Sequence, residues 1–240
     1  MNSTLRRALV CAALATTSLT LTACFAPPAV TQTAKPTAEP IEAGEPTSTP
    51  TGVPIEDDDI DAPAGFTAVF DDTRHLGALL PDTWTDTNGS GYLDGDGRDW
   101  IALQAAVNLG DWDQYWGEPG VQLGAAALQP DWTDDILQAE VENLHDYIIS
   151  TFGYAEACTT VDDAESYTDQ LYTGIISTFS DCPSDSMAIV LATSDLKRTH
   201  ELYIELTLPG GLDDDQNSEI IDQLLGSFQA SFDSTKASRG

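Results

Sequence analysis

The sequence predicts an α+β fold in which an antiparallel β-sheet is covered by helices. Seven segments of the chain have strand character, and segments with helical spacing interrupt them at three places. Helices that separate runs of neighbouring strands, instead of following every strand, favour antiparallel pairing over a parallel sheet. The region with this pattern, residues 64–233, is long enough for one globular domain with a core of its own.

The predicted strands are short runs of apolar and β-branched residues, and the last of them alternates most clearly. In this strand Leu202, Ile204 and Leu206 alternate with Glu, Tyr and Thr, so we expect one face to be covered and the other to meet water. The seven predicted strands span residues 67–71, 75–80, 100–107, 121–128, 171–179, 187–193 and 201–208.

Two long helices and one short helix are predicted between these strands. Residues 131–152 and 214–230 both begin with several aspartates, which favour the positive end of a helix dipole, and Gly153 ends the first. The short helix, 109–116, places Trp112 and Trp116 on one face. We interpret these rings as packing against the sheet, and a platform for a carbohydrate or peptide is the alternative.

The first residues have the layout of a bacterial secretion signal. Arg6 and Arg7 precede an uncharged run that is shorter than the ~20 residues needed to span a bilayer, and small residues lead to Cys24. The stretch resembles the lipobox of bacterial lipoproteins, in which the cysteine receives a diacylglycerol and becomes the first mature residue. We therefore predict a signal peptide over 1–23 and a palmitate-bearing lipid anchor on Cys24, at the extracytoplasmic face of the cell membrane. A signal cleaved nearby, or an uncleaved anchor, is the alternative.

The segment after Cys24 and the end of the chain have little capacity to form a core. Residues 24–63 are rich in Pro, Thr, Ala and Glu and contain few large apolar residues. Such a composition buries too little surface to offset the entropy of ordering, so we predict a disordered tether here and a disordered tail over 234–240.

The charge of the chain is strongly negative, with forty Asp and Glu against nine Lys and Arg and a formal net charge of −31. Contacts to phosphates need Lys and Arg, so this composition excludes nucleic acid as a partner and favours cations or basic partners. A coat of acidic residues that serves solubility is the alternative interpretation.

The four cysteines fall into two groups. Cys11 lies in the signal and Cys24 is the lipid acceptor, which leaves Cys158 and Cys182 in the folded region. In an oxidising compartment two remaining cysteines usually join, so we predict a disulfide between them. Catalytic or metal-binding thiols are the alternative, but no CxxC motif or neighbouring histidine supports it.

One loop has the oxygen pattern of a calcium-binding loop. Asp86, Asn88, Ser90 and Asp94 stand at positions one, three, five and nine of an EF-hand-type loop, with glycine at position six. Position twelve is Gly97 where a glutamate belongs. Calcium is therefore a candidate ligand of the 86–99 loop, although no cofactor is required, and an ordinary exposed turn is the alternative.

No sequence motif indicates a catalytic site. The histidines at positions 75, 145 and 200 are far apart and match no metal-ligand spacing, so surface or half-buried structural roles are expected for them. No nucleophile elbow, phosphate-binding loop or dinucleotide-binding motif occurs. We therefore predict that the protein is not an enzyme.

Several short motifs together carry a family resemblance. They are Leu80-Pro81-x-x-Trp84, Pro119-Gly120-Val121, Cys158-Thr159, Leu171-Tyr172-Thr173-Gly174 and Asp181-Cys182. Their order and spacing over residues 67–230 resemble the PsbP-like domain of actinobacterial cell-surface lipoproteins.

This resemblance implies an α-β-α sandwich, a disulfide that joins a helix exit to a central strand, and a non-catalytic role in binding or assembly in the cell envelope, with an unknown protein or glycan partner. A calcium-binding surface domain that uses the 86–99 loop, or an unrecognised hydrolase, is the alternative function.

Overall fold

A computed structural model describes residues 33–35, 52–56, 60–129, 131–210 and 214–232. The predicted signal peptide, Cys24, most of the predicted tether and the predicted tail lie outside the described residues and stay predictions. Within the described part of the chain, no helix is long and apolar enough to cross a membrane.

The described chain alternates between strands and a few helices. The strands are β1 (Phe66–Phe70), β2 (Leu76–Pro81), β3 (Asp86–Asn88), β4 (Tyr92–Leu93), β5 (Asp99–Ala106), β6 (Gly120–Ala127), β7 (Thr159–Thr168), β8 (Tyr172–Cys182), β9 (Ser186–Asp195), β10 (His200–Leu208) and β11 (Gln229–Ala230). The helices are α1 (Leu109–Trp112), α2 (Asp134–Phe152), α3 (Tyr154–Ala157) and α4 (Asp214–Ser227), with a 3-10 turn at Pro183–Asp185.

The strands form a large and a small sheet, and all their pairings are antiparallel. The large sheet has the order β3-β5-β6-β10-β9-β8-β7, with β4 added beside β5, and the small sheet has the order β1-β2-β11. The predicted α+β fold class, an antiparallel sheet covered by helices, is confirmed.

Both faces of the large sheet are covered, as the central strand β10 shows. Ile204 on one face packs in a cluster with Leu224 and Phe228 near the end of the chain. On the opposite face Tyr203 packs in a cluster with Ile148 of α2. Every residue of β10 is buried. The prediction that one face of this strand meets water is therefore wrong, because α2 and further segments cover its polar side.

The helices begin and end close to their predicted positions. Helix α2 starts three residues later than predicted, because the side chain of Thr133 caps it by accepting a hydrogen bond from the backbone N–H of Ile136. It ends at Gly153, whose φ of 70° lies in the left-handed region that favours glycine. Helix α1 is shorter than predicted and ends at Trp112.

Strand β7 was not predicted from the sequence. It reads Thr-Thr-Val-Asp-Asp-Ala-Glu-Ser-Tyr-Thr and lies at the end of the large sheet. An edge strand with polar residues on both faces has no apolar alternation to reveal it.

The predicted disulfide between Cys158 and Cys182 is present, with 4.1 Å between the two Cα atoms. It joins the residue that follows α3 to the last residue of β8. The bridge closes a loop of 24 residues and fixes the start of the edge strand β7 beside its neighbour.

Parts of the segment predicted as a tether pack against the domain. Ile55 and Ile60 are buried in a small cluster with Leu79 of β2. The backbone N–H of Ile55 donates to the carbonyl of Arg74 at 2.7 Å. Residues 33–35 also contact the domain, as described below. The prediction of a disordered tether over 24–63 does not hold for these described residues, because their apolar and basic side chains have buried partners.

Candidate cation-binding site

The candidate site lies on the polar face of β10. The two-residue period of the strand places Glu201, Tyr203, Glu205 and Thr207 on one face of the sheet. Glu205 and Thr207 are both 0% exposed. Burying a carboxyl group is costly unless it is paired and hydrogen-bonded, so the surroundings of Glu205 identify the groups that compensate it.

Two hydroxyl groups donate to one oxygen of Glu205. Tyr154 and Thr207 both direct their hydroxyls to Oε1, the latter at 3.3 Å. The other oxygen, Oε2, is buried and has no hydrogen-bond partner among the described residues. The carboxyl group of Glu205 is thus only half satisfied by hydrogen bonds.

A lysine from the N-terminal segment supplies a positive charge to this carboxyl group. The Nζ atom of Lys35 lies 4.0 Å from Glu205 Oε1 and donates to Thr207 Oγ1 at 3.3 Å. Its side chain is 5% exposed. The same Nζ lies 4.7 Å from the ring centroid of Trp112 and 5.5 Å from that of Trp116, within the range of cation–π attraction.

These groups form an enclosure that we call the lysine cage. Its members are Trp112, Trp116, Tyr154, Glu205 and Thr207. All five come from the domain, whereas the lysine that they surround comes from the segment before it.

The backbone of the N-terminal segment also pairs with the domain. The N–H of Lys35 donates to the carbonyl of Gln114 at 2.7 Å, and the N–H of Trp116 donates to the carbonyl of Thr33 at 2.9 Å. Ala34 and Tyr115 form an isolated antiparallel bridge between these two bonds. The segment therefore binds as a very short added strand, with the lysine side chain as its anchor.

Local sequence explains how the two tryptophans reach the cage. The side chain of Asn108 caps α1 by accepting from the backbone N–H of Asp111, which fixes the start of the helix that carries Trp112. A Cβ atom at Gly120 would lie 2.6 Å from the Trp112 ring, so only glycine lets the indole lie against β6. Trp116 meets the Tyr154 ring edge-on, with 5.4 Å between centroids.

Burial and charge act in opposite directions on the pKa values of the cage. Burial lowers the pKa of Lys35, and the charges of Glu205 and Asp113 oppose that change. Burial raises the pKa of Glu205, and Lys35 opposes it, as do the hydrogen bonds from Tyr154 and Thr207. Burial also raises the pKa of Tyr154 well above its ordinary value, which keeps its hydroxyl a donor.

A second cation on the same face of β10 comes from within the domain. Arg98 pairs with the buried Glu201, and its guanidinium lies 5.2 Å from the ring centroid of Trp100 and 5.5 Å from that of Trp132. The two glutamates of this strand are thus each matched by one cation and two indoles. Arg98 lies just before β5, 103 residues from Glu201 in sequence, whereas Lys35 lies before the domain.

The residues predicted to bind calcium have hydrogen-bond partners within the protein. Asp86 Oδ2 accepts the backbone N–H of Leu109 at 2.9 Å, and the side chain of Asn88 accepts the backbone N–H of Ser90 at 3.1 Å. Asp94 accepts from two backbone N–H groups and from the indole of Trp100. Among the described residues, no group of three or more His, Cys, Asp or Glu side chains can hold a metal ion. Calcium binding at this loop stays a prediction.

The three histidines are buried, and two of them contact other elements of the chain. His75 Nε2 is 3.2 Å from the carbonyl oxygen of Gly52, and His200 Nε2 is 3.3 Å from the hydroxyl of Tyr172. Burial lowers the pKa of His200 to about 4, and it also lowers the pKa of His145. The expected structural role agrees with these contacts, but the side chains are buried and not at the surface.

The lysine cage was only partly visible in the sequence. Trp112 and Trp116 were recognised as a pair that packs, and they are buried as expected. Glu205 is buried although the sequence predicts a solvent-exposed face, and Lys35 packs against the domain although the sequence predicts a disordered tether. Two signals were available: a lysine in a chain with nine Lys and Arg residues, and a glutamate in the middle of a strand of apolar residues.

No protein-family model and no curated protein matches the chain. Among solved structures, the chain is similar to cyanobacterial PsbP (CyanoP) from Synechocystis sp. PCC 6803, with 12% identity and a TM-score of 0.41 over 70% of this chain and 94% of that chain.

Proposed function

We propose that the chain is a lipid-anchored binding protein of the extracytoplasmic membrane face, and that its domain binds cationic groups in the lysine cage without catalysing a reaction. The observation that carries this proposal is the enclosure of the Lys35 ammonium group between two indole rings and the buried Glu205. Aromatic rings combined with a carboxylate are a recurrent way of recognising alkylammonium groups.

The chemistry of the cage favours binding over catalysis. Its side chains are two indoles, two hydroxyl groups and one carboxyl group. Both hydroxyl groups direct their hydrogens to Glu205, and burial keeps the Tyr154 phenol protonated. A cage of this kind stabilises a positive charge, but it offers no activated nucleophile.

The net charge of the chain also favours the binding of cations. A formal net charge of −31 attracts cations and accelerates their association at low ionic strength. Such attraction is screened by salt, whereas the contacts inside a buried cage are screened much less. We expect the rate of association to fall as salt is added and the rate of dissociation to change little.

The cage is tested by chemical rescue of the full chain. In the variant Lys35→Ala the cage lacks its ammonium group, so n-butylammonium is expected to raise the melting temperature of this variant by several degrees through binding to the folded state. In the double variant Lys35→Ala/Glu205→Gln the rescue should be lost. The matched control is Lys197→Ala, which removes an exposed lysine elsewhere on the domain.

Two results would contradict the cage as a binding site. One is an equal response of the Lys35→Ala and Lys197→Ala variants to n-butylammonium. The other is rescue by n-butanol, an uncharged analogue of similar size, because the proposal depends on the charge of the ligand.

The membrane anchor has a test of its own. Expressed in a bacterium that processes lipoproteins, the full chain is expected to incorporate alkyne-labelled palmitate and to partition with membranes, and Cys24→Ala is expected to lose both properties. A released form whose mass spectrum shows an unmodified Cys24 would contradict the anchor and would leave the cage unaffected.

A further inference from the structure

The residues of the lysine cage and the lysine that they enclose come from different parts of the chain. All five cage residues belong to the domain, and with residues 33–35 in place Trp112 and Trp116 are each 2% exposed. Residues 33–35 add one lysine side chain and two backbone hydrogen bonds to this enclosure. A contact of this size is small beside the interfaces that hold domains together.

The bound lysine leaves part of the cage unsatisfied. Glu205 Oε2 and the indole Nε1 of Trp112 are buried and have no hydrogen-bond partner among the described residues. The distance from Lys35 Nζ to Glu205 Oε1, 4.0 Å, is also longer than a charge-assisted hydrogen bond. Buried polar groups without partners cost free energy, so a lysine that also donates to Glu205 Oε2 binds better than Lys35 does, whereas the Trp112 Nε1–H is a donor that an ammonium group cannot satisfy.

The backbone contacts define the form of such a ligand. The segment approaches residues 114–116 as an extended antiparallel strand, and Ala34 forms the bridge to Tyr115. Hydrogen bonds from the main chain give affinity to any extended peptide, and the cage then selects the side chain that enters it. A small residue followed by a lysine satisfies both requirements in this chain.

We propose that the lysine cage is a recognition site for a lysine-bearing extended peptide of another protein, and that Lys35 is a built-in competitor that the peptide must displace. This inference rests on the proposed function, because it names the ligand of the same cage. Lys35 reaches the cage as part of the same chain, so it competes at the high effective concentration of an intramolecular ligand. The peptide therefore displaces Lys35 only when the ratio of its concentration to its dissociation constant exceeds the corresponding ratio for the cis segment.

The inference is tested with two peptides and the full chain. The first is acetyl-Gln-Thr-Ala-Lys-Pro-amide, which repeats residues 32–36, and the second has norleucine in place of lysine. Calorimetric titration is expected to show that the lysine peptide binds Lys35→Ala at least about tenfold more tightly than wild type, since the cis competitor has been removed. The norleucine peptide and the Lys35→Ala/Glu205→Gln variant should each lose most of this affinity.

A measurement on the wild-type chain keeps the inference testable if the variants unfold. Acetylation by an N-hydroxysuccinimide ester, read by mass spectrometry, should modify Lys35 more slowly than the exposed Lys197. The lysine peptide, whose own amine consumes part of the ester, should raise the ratio of Lys35 to Lys197 modification, whereas the norleucine peptide should leave this ratio unchanged.

The failure of this inference differs from the failure of the proposed function. Equal affinity of the lysine peptide for wild type and Lys35→Ala, or equal affinity of the two peptides for the variant, overturns the inference. If n-butylammonium still stabilises Lys35→Ala in that case, the cage remains a cation site and only its peptide ligand is wrong.

Discussion

The 86–99 loop and the polar face of β10 are both rich in carboxyl groups, but they compensate negative charge in different ways. Asp94 accepts hydrogen bonds from the backbone N–H groups of Asp96 and Arg98, which are close to it in sequence. Glu205 accepts from Tyr154 and faces Lys35, both of which are distant in sequence.

The difference follows from exposure to solvent. Carboxylates at a surface turn remain partly solvated, and neighbouring backbone groups are enough to fix their orientation. A carboxyl group in the middle of a covered sheet loses its water, so it needs a positive charge from another part of the chain. Long-range contacts therefore make the buried glutamate a place where a cation of the chain itself is held.

The largest expected effect is the loss of Glu205. Glu205→Ala removes the acceptor of two hydroxyl groups and the carboxylate that faces Lys35. We expect the free energy of unfolding to fall by about 3 kcal/mol, the lower end of the range for a broken buried ion pair, because the N-terminal segment is able to leave. Chemical denaturation of the full chain measures this change.

The matched control for this variant is Glu165→Ala, which removes an exposed glutamate from the edge strand β7. A surface substitution of this kind is expected to change the free energy of unfolding by less than about 0.5 kcal/mol. Equal effects of the two substitutions would show that the buried carboxyl group has no special role.

The second expected effect depends on pH. Lys35→Ala leaves Glu205 and Asp113 without the cation that holds down their pKa values, so the pKa values of both carboxyl groups rise further above their ordinary values. A carboxyl group whose pKa is raised in the folded state stabilises the fold when it is protonated. This contribution to the free energy of unfolding is complete below the ordinary pKa of Glu near 4.5, and it is lost as the pH rises through the raised pKa.

The titration of Lys35 also makes the stability of the wild type rise with pH relative to the variant. Its folded-state pKa is lowered, so the unfolded state binds more protons above that value, and the wild type becomes more stable relative to the variant as the pH rises. We expect the loss of stability in Lys35→Ala to be about 2 kcal/mol at pH 8 and to shrink towards pH 4. A constant or reversed difference between thermal melts at these two pH values would contradict the pairing.

The fold class could be predicted from the sequence because the core strands have simple patterns of apolar residues. The alternation of Leu202, Ile204 and Leu206 locates β10, and the cysteine count gives the disulfide between Cys158 and Cys182. Apolar patterns report which face of an element is buried against a core, and this information is local. Strand β7 lacked such a pattern and was missed.

The candidate site could not be predicted from local patterns, because the buried charge of Glu205 is compensated by residues that are distant in sequence. In the sequence, a glutamate at position 205 predicts a solvent-exposed face. The structure instead shows Lys35 packed 4.0 Å from this buried carboxyl group. The average composition of residues 24–63 gives no sign that residues 33–35, Ile55 and Ile60 pack against the domain. Only the three-dimensional structure shows that Lys35 and Glu205 are in contact.

The third expected effect concerns the hydrogen bonds that Asp94 accepts in the 86–99 loop. Asp94→Ala removes an acceptor of two backbone N–H groups and of the Trp100 indole, so we expect a loss of about 1 kcal/mol, the usual contribution of such hydrogen bonds. Asp94→Asn retains an oxygen acceptor and should lose less than half of this. If the two variants lost equal stability, the negative charge of Asp94 and not its hydrogen bonds would be what matters.

The smallest expected effect concerns calcium. The oxygens of Asp86, Asn88 and Asp94 already accept hydrogen bonds from backbone groups, so a metal would have to replace contacts that close the turn. We expect the melting temperatures in millimolar calcium and in EDTA to agree within about 1 °C, since only a ligand that binds the folded state raises stability. A rise of several degrees with calcium, abolished by Asp86→Ala, would support the calcium site predicted from the sequence. It would also mean that both acidic regions hold cations, one from solvent and the other from the chain itself.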